Sequence, residues 1–214
     1  MAAPVSANIA IIIGSQRQPR AGPQIATFVH DVIAQHHQQA SPTVKIETVD
    51  IAALGLPLYD EPGIPQQITD PAGYAHEHTR AWSRLVSSFD GFVFVTPQYN
   101  WGVPAGLKNA IDYLFNEWTG KVAMVVSYGG HGGGKADDAL RVVLGGGLKM
   151  RVVEGRVNLT FWGRDVVWAA FAGEDLGLDA GKVDGPWSDA KGDIVGAWEE
   201  LLGIIDQRST QAVA

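Results

Sequence analysis

Runs of β-branched, apolar residues alternate with helical patterns along this chain of 214 residues, and the alternation restricts its fold more than any other feature. The first run, NIAIII at residues 8–13, is continuously apolar after Asn8 and rich in β-branched residues, as expected of a strand buried on both faces. Four more strands are predicted at TVKIETVD, GFVFVTP, KVAMVVSYG and RVVEGRVNLTFW, the last with a break at Gly155. Strands that alternate with helices favour a parallel sheet covered on both sides. We therefore predict a three-layer α/β/α sandwich around a five-stranded parallel sheet.

Helices are predicted between and after these strands from their apolar periodicity and from proline near their first turns. They span about residues 23–38, 71–89, 104–115, 136–148 and 186–205, and a long irregular, acidic stretch is expected before the last of them. The sequence shows no internal repeat and no linker. We therefore predict a single domain over residues 1–214, with its core at about 8–206.

The composition excludes several classes of protein. The chain has no cysteine, which removes disulfides, thiolate nucleophiles and Cys-ligated metal, so any redox chemistry requires a bound cofactor. Residues 174–206 contain nine acids and two lysines, a balance of −7 that equals the net charge of the whole chain. Because the remainder is neutral, no basic face for nucleic acid is expected. We read the acidic segment as a solvated surface.

Targeting and metal-binding patterns are also weak. No run reaches the ~18 apolar residues of a membrane span, and the amino terminus lacks the pattern of a secretory signal, so we expect a cytoplasmic protein without a membrane partner. His30, His36 and His37 lie close together but lack a carboxylate at suitable spacing. We therefore expect no metal site there.

The loop after the first strand, GSQRQPR at residues 14–20, has the composition of a phosphate site. Gly14 allows a tight turn, and Ser15 and the following helix start offer hydroxyl, amide and dipole donors to an anion. Arg17 and Arg20 add permanent charge and forked donors that suit phosphate. The alternative is a basic loop exposed to solvent.

The loop after the third strand reads TPQYNWGVPAGLKNAID and combines aromatic rings with amides. Pro97 ends the strand, Tyr99 and Trp101 offer flat faces to a ring ligand, and Gln98 and Asn100 can hydrogen-bond its edge. In the alternative interpretation, Tyr99 and Trp101 form an oligomer contact. The two interpretations are compatible, because sites for flat rings often lie at subunit boundaries. The carboxyl ends of parallel strands share one edge, where ligands bind, so these loops are expected to meet there.

The loop after the fourth strand, SYGGHGGGKADD at residues 127–138, contains the G-x-x-x-x-G-K pattern of a nucleotide-binding P-loop. The pattern is incomplete, because Ala136 stands where a hydroxyl must reach magnesium. The loop also follows the fourth strand, whereas the phosphate pattern follows the first. We therefore interpret its glycines, which include Gly129 and Gly130, as room for backbone amides against a planar heterocycle.

Together these three loops resemble the flavin loops of the NAD(P)H-dependent FMN reductase family, which has a flavodoxin-like fold. The resemblance runs from about residue 8 to residue 159, and its most specific part is the loop PQYNWGVPAGLKNAID. That family commonly has glutamate where this chain has Gln98. The change removes a charge from the pocket and keeps a hydrogen-bonding side chain.

The resemblance implies FMN as cofactor, with NADPH or NADH as electron donor and no catalytic side chain, because the chemistry takes place on the flavin. Residues carried over from the family fall into three groups: Ser15 and Arg17, with Arg20 close by, for the phosphate; Pro97, Gln98, Tyr99 and Asn100, with Trp101 at the mouth, for the ribityl chain and ring; and Ser127, Gly129 and Gly130 for the polar edge of the ring. His131 is either a donor to a flavin oxygen or the polar tip of the loop.

The function implied by the resemblance is an oxidoreductase that passes electrons from a nicotinamide through FMN to free flavin, a quinone or a similar small acceptor. The family also implies a homodimer or homotetramer. A non-enzymatic FMN-binding electron carrier or regulatory module is the alternative, and an ATPase ranks third. The acceptor, the choice between NADH and NADPH, and the role of residues 174–206 stay open at this point.

Overall fold

A parallel sheet forms the centre of the molecule in the computed structural model, which describes residues 6–37 and 43–213. The strands are β1 (Ala7–Ile13), β2 (Val44–Asp50), β3 (Gly91–Pro97), β4 (Val122–Gly129), β5 (Arg151–Val152) and β6 (Val157–Thr160). Their order is β2-β1-β3-β4-β5, and β6 also pairs with β4. The predicted fifth strand is therefore two short strands on either side of Gly155, both parallel to β4. The predicted flavodoxin-like, three-layer fold is confirmed.

Six α-helices connect and cover the strands in the described residues: α1 (Gly22–His37), α2 (Glu77–Ser87), α3 (Ala105–Asp112), α4 (Gly134–Arg141), α5 (Arg164–Ala172) and α6 (Lys191–Val213). A π-helical turn, Val142–Gly147, extends α4. None of the helices within these ranges is long and apolar enough to cross a membrane.

Two predicted helix starts were wrong, and one helix was missed. The helix predicted from residue 71 begins at Glu77, because Pro71–Gly73 form a separate 3-10 turn capped by Asp70. The last helix begins at Lys191 instead of residue 186. The predicted end of the first helix, Gln38, lies outside the described residues. The stretch predicted to be irregular contains α5, whose first turn carries Asp165 at the positive end of the helix.

Each face of the sheet has its own hydrophobic core, because successive residues of a buried strand point to opposite sides. Ile9 and Ile11 of β1 face a core shared with α1 and α6, where Trp198 is fully buried. Ala10 and Ile12 face a second core shared with α2, α3 and α4. This two-sided burial explains why the predicted strands read as continuous apolar runs.

A buried ionic network fixes α4 against the break between β5 and β6. Asp137 is 0% exposed and lies 2.7 Å from Arg141 Nε and 2.6 Å from Arg156 Nη1. Arg141 also donates hydrogen bonds to the carbonyl oxygens of Val153, at 2.5 Å, and Gly155, at 2.7 Å. The carboxylate is thus satisfied by two guanidinium groups, one of which holds the irregular segment of the sheet edge.

Candidate cofactor site at the carboxyl edge of the sheet

A cavity of about 510 Å³ lies where the loops after β1, β3 and β4 meet. Its volume is within the roughly 300–1,000 Å³ that small-molecule sites occupy. The predicted site residues that line it are Arg17, Arg20, Pro97, Gln98, Tyr99, Asn100, Gly129 and Gly130. A neighbouring cavity of about 450 Å³ shares Arg17, Tyr99 and Asn100 and extends to the first turn of α3. The three loops identified in the sequence therefore converge on one place.

The loop between β1 and α1 offers polar groups that the protein itself does not use. Ser15 is 0% exposed, and its hydroxyl makes no hydrogen bond of normal geometry to any described residue. A Cβ built at Gly22 would lie 2.0 Å from Ser15 Oγ and 3.0 Å from the Tyr128 hydroxyl, so glycine is needed at the start of α1. Burial raises the pKa of the Tyr128 hydroxyl, which stays a neutral donor. The Ser15 hydroxyl therefore lies beside the Tyr128 hydroxyl, and Ser15 itself is not among the residues that line the cavity.

The amides of the same loop are also available. No backbone–backbone hydrogen bond from the amides of residues 15–18 or 20 is found within the described ranges. The loop leads directly into α1, a helix of 16 residues whose positive end favours an anion. The arrangement fits a phosphate group.

The two arginines of this loop have different surroundings. Arg20 makes a bidentate ion pair with Asp50, with Nη1–Oδ1 at 2.9 Å and Nη2–Oδ2 at 2.5 Å, and it also donates to the Ser15 carbonyl oxygen. Arg17 has no carboxylate partner among the described residues, and its guanidinium carbon lies 3.6 Å from the centre of the Tyr99 ring. Arg17 therefore brings uncompensated positive charge to the cavity, whereas the charge of Arg20 is shared with Asp50.

The loop after β3 makes a tight turn that directs Trp101 outwards. Tyr99 and Gly102 exchange backbone hydrogen bonds of 3.1 and 3.0 Å, and Asn100 and Trp101 between them have φ of 48° and 65°. Asparagine tolerates this left-handed conformation, but a bulky residue such as tryptophan is strained in it. Trp101 is 66% exposed, and its ring centre lies 6.0 Å from that of His131. The two side chains lie at the rim and do not line the cavity.

Ser127 lies beneath the glycine loop and outside the lining of the cavity. Its hydroxyl donates to the Gly132 carbonyl oxygen at 2.8 Å and accepts from Asn158 Nδ2 at 2.6 Å, and the residue is 0% exposed. The structure thus gives Ser127 a role in holding the loop. The ring contact that the resemblance implies for it stays a prediction, as does the role of His131.

Gln98 joins the second and third loops. Its Oε1 accepts hydrogen bonds from the amides of Lys135, at 2.9 Å, and Ala136, at 3.4 Å, in the first turn of α4. The residue at the N-cap position is Gly133, which has no side chain to do this. In a P-loop these amides would donate hydrogen bonds to a phosphate. Here they donate to the side chain of Gln98 instead.

We expect the replacement Gln98→Leu to lower the free energy of unfolding by about 1 kcal/mol, the usual cost of a lost helix cap. Gln98→Glu keeps the acceptor oxygen and adds negative charge at the positive end of α4, so it should be at least as stable as the wild type. Urea unfolding of both variants tests this pair. Equal destabilisation by leucine and glutamate would show that Gln98 does not act as a cap.

A fourth element of the cavity was not predicted from the sequence. Val167, Ala170 and Phe171 of α5 line it together with Phe161, which follows β6. Their spacing at i, i+3 and i+4 is that of one helical face and was the available signal. It was hidden because residues 166–172 are all apolar, so no helical period stands out in the sequence.

Comparison with known proteins agrees with this geometry. The family model described as NADPH-dependent FMN reductase matches residues 7–163. The NAD(P)H-dependent FMN reductase LOT6 of Saccharomyces cerevisiae is 52% identical over 150 residues, which are 69% of this chain and 78% of that protein. A quinone reductase of Pseudomonas putida is 32% identical over 144 residues, or 63% of this chain and 67% of that protein.

Solved structures share the fold. FerB, a flavoenzyme NAD(P)H:(acceptor) oxidoreductase from Paracoccus denitrificans, superposes with a TM-score of 0.64 over 94% of this chain and 98% of that chain. The two sequences are 19% identical, so the likeness concerns the fold alone.

Proposed function

This chain belongs to the NADPH-dependent FMN reductase family, and from that premise we propose that it binds FMN in the 510 Å³ cavity and uses NADPH or NADH to reduce it. The observation that carries the proposal is the convergence of three loops on one cavity lined by Arg17, whose guanidinium has no carboxylate partner among the described residues, with the buried Ser15 hydroxyl and the free amides in the same loop. These are the groups that a phosphate-bearing cofactor requires.

The residues present fit the three parts of FMN, which are its phosphate, its ribityl chain and its ring. Ser15, Arg17 and the loop amides before α1 would hold the phosphate, through charge-assisted hydrogen bonds and the positive end of the helix. Tyr99 and Asn100, with the backbone of Gly129, would line the ribityl chain and the ring. When bound, FMN supplies the hydride and electron chemistry, and the protein supplies position, hydrogen bonds and exclusion of water.

The acceptor is proposed to be a quinone, free flavin or a similar small molecule. The name of the Pseudomonas putida relative supports the quinone class, and that of the yeast relative supports flavin. A cytoplasmic homodimer or homotetramer remains part of the proposal. Trp101, exposed beside the cavity, would be sheltered by a second copy in such an assembly.

Anaerobic mixing of the FMN-loaded protein with NADPH or NADH tests the proposed function. We expect the visible absorbance of the bound flavin to bleach with at least one nicotinamide and to return when 1,4-naphthoquinone is added. Bound flavin that neither nicotinamide can bleach would favour the non-enzymatic carrier instead. A protein that does not take up FMN would overturn both alternatives.

We expect Arg17→Ala to raise the Kd for FMN by about ten- to a hundredfold, because a charged hydrogen bond contributes roughly 1.5–3 kcal/mol. Riboflavin, which lacks the phosphate, provides the matched control. Its affinity should change little, since the lost interaction is with the phosphate. Fluorescence titration of the apoprotein measures both constants. An equal loss for the two ligands would show that Arg17 acts through the Tyr99 ring.

A further inference from the structure

We propose that α5 forms the acceptor-side wall of the cavity, and that Val167 and Phe171 determine which acceptors bind there. The inference rests on the proposed function and goes beyond it, because the matched family region ends at residue 163 and α5 begins at Arg164. The wall is thus built by a segment that the family pattern does not describe.

The cavity-facing residues of α5 form one apolar stripe. Val167, Ala170 and Phe171 are three and four positions apart, which places them on the same side of a helix. Ala170 is 5% exposed and Val167 is half-buried, whereas Phe171 is 55% exposed. The stripe therefore runs from the buried interior of the cavity to its solvent-exposed end at Phe171.

The two sides of the cavity differ in chemistry. The loops after β1, β3 and β4 provide charged and amide groups, among them Arg17, Gln98 and Asn100. The three α5 residues that line it have no side chain able to form a hydrogen bond. A polar group buried against such a wall loses its hydration without a replacement hydrogen bond, and this loss weakens its binding. The wall therefore favours small, uncharged, planar acceptors such as quinones over free FMN, which carries a ribityl chain and a phosphate.

The carboxyl end of α5 packs against the loop after β1, which is the proposed phosphate site. Gly173, the C-cap of α5, has φ of 69°, and a Cβ built on it would lie 2.8 Å from Pro19 Cβ. Gln24 of α1 holds the following segment with two hydrogen bonds, donating to the Glu174 carbonyl oxygen at 2.8 Å and accepting from the Leu176 amide at 2.9 Å. These contacts fix the carboxyl end of α5, where Phe171 lies, against the loop after β1 and the first turn of α1.

The test measures equilibrium binding without turnover. Oxidised, FMN-loaded protein is titrated with 1,4-naphthoquinone in the absence of nicotinamide, and the apoprotein is titrated separately with FMN. We expect Phe171→Ala to raise the Kd for the quinone by about tenfold, and Val167→Ala by about threefold, because each removes apolar contact area. The Kd for FMN should stay within about twofold in both.

Val166→Ala is the matched control, since Val166 is the neighbouring residue, is similarly half-buried, and packs against the core instead of the cavity. It should leave the quinone Kd unchanged, and Phe171→Leu should restore most of the affinity that alanine loses. An unchanged quinone Kd in Phe171→Ala would overturn the proposal, as would a loss of FMN affinity equal to that of quinone affinity. Failure of the nicotinamide to bleach wild-type flavin would instead overturn the proposed function, because these titrations involve no reduction.

Discussion

Replacing Asp137 with asparagine is expected to lower the free energy of unfolding by about 3–5 kcal/mol, the usual cost of breaking a buried ion pair by removing one partner. The carboxylate is fully buried between Arg141 and Arg156, and the side chain of Arg141 is only 14% exposed. Asparagine has nearly the same shape but no charge, so it leaves Arg141 without its counter-ion in a poorly hydrated place. Urea unfolding followed by circular dichroism measures the change.

Asp138→Asn is the matched control for this prediction. Asp138 is the next residue along α4 and contacts the same Arg156 at 2.8 Å, but the two side chains are 54% and 50% exposed. Surface ion pairs contribute at most about 1 kcal/mol, so the loss should be small. Similar losses in the two variants would contradict the role that we assign to burial.

Gly133→Ala is expected to destabilise the glycine loop, because the added methyl group requires a left-handed backbone and meets backbone atoms. Gly133 has φ of 79°, where a left-handed alanine costs about 1–2 kcal/mol. The added Cβ would also lie 2.8 Å from the amide nitrogen of Tyr128, the second-last residue of the buried strand β4. Because that backbone cannot move without disturbing the sheet, the total loss of unfolding free energy should exceed the conformational cost alone. On the proposed function, FMN affinity should fall as well.

Gly134→Ala separates this effect from any general effect of alanine. Gly134 begins α4, and a Cβ on it would meet no atom within 4 Å. Alanine is the better helix former by about 1 kcal/mol, so this neighbour should be unchanged or slightly stabilised. A Gly133→Ala variant as stable as Gly134→Ala would show that the loop does not depend on the left-handed conformation.

The strands and the place where the loops meet were predictable because both follow from continuous apolar runs. In a parallel sheet such runs are buried on both faces, and their carboxyl ends share one edge. The sequence pattern therefore contained the sheet, its break at Gly155 and the convergence of the three loops, all of which the structure has.

Partners that come from distant parts of the chain were not predictable from local patterns. Arg20 pairs with Asp50, because residue 50 is in register with Ile13 at the end of the neighbouring strand, beside the phosphate loop. Ser127 is held by Asn158 of β6, and a serine at the end of a strand gives no local sign of that contact. α5 was missed for a different reason: residues 166–172 are all apolar, so they lack the alternation with polar positions by which one face of an amphipathic helix is recognised.

The split at Gly155 also bears on aggregation. An edge strand with a continuous row of free amides and carbonyls is a template on which another chain can add a strand. Here the edge beyond β4 is divided into strands of two and four residues. Between them, the carbonyls of Val153 and Gly155 accept from Arg141, and the amides of Glu154 and Gly155 donate to Glu200. The side chains that hold the break thus occupy four of its backbone groups, so a foreign strand cannot pair continuously along this margin of the sheet.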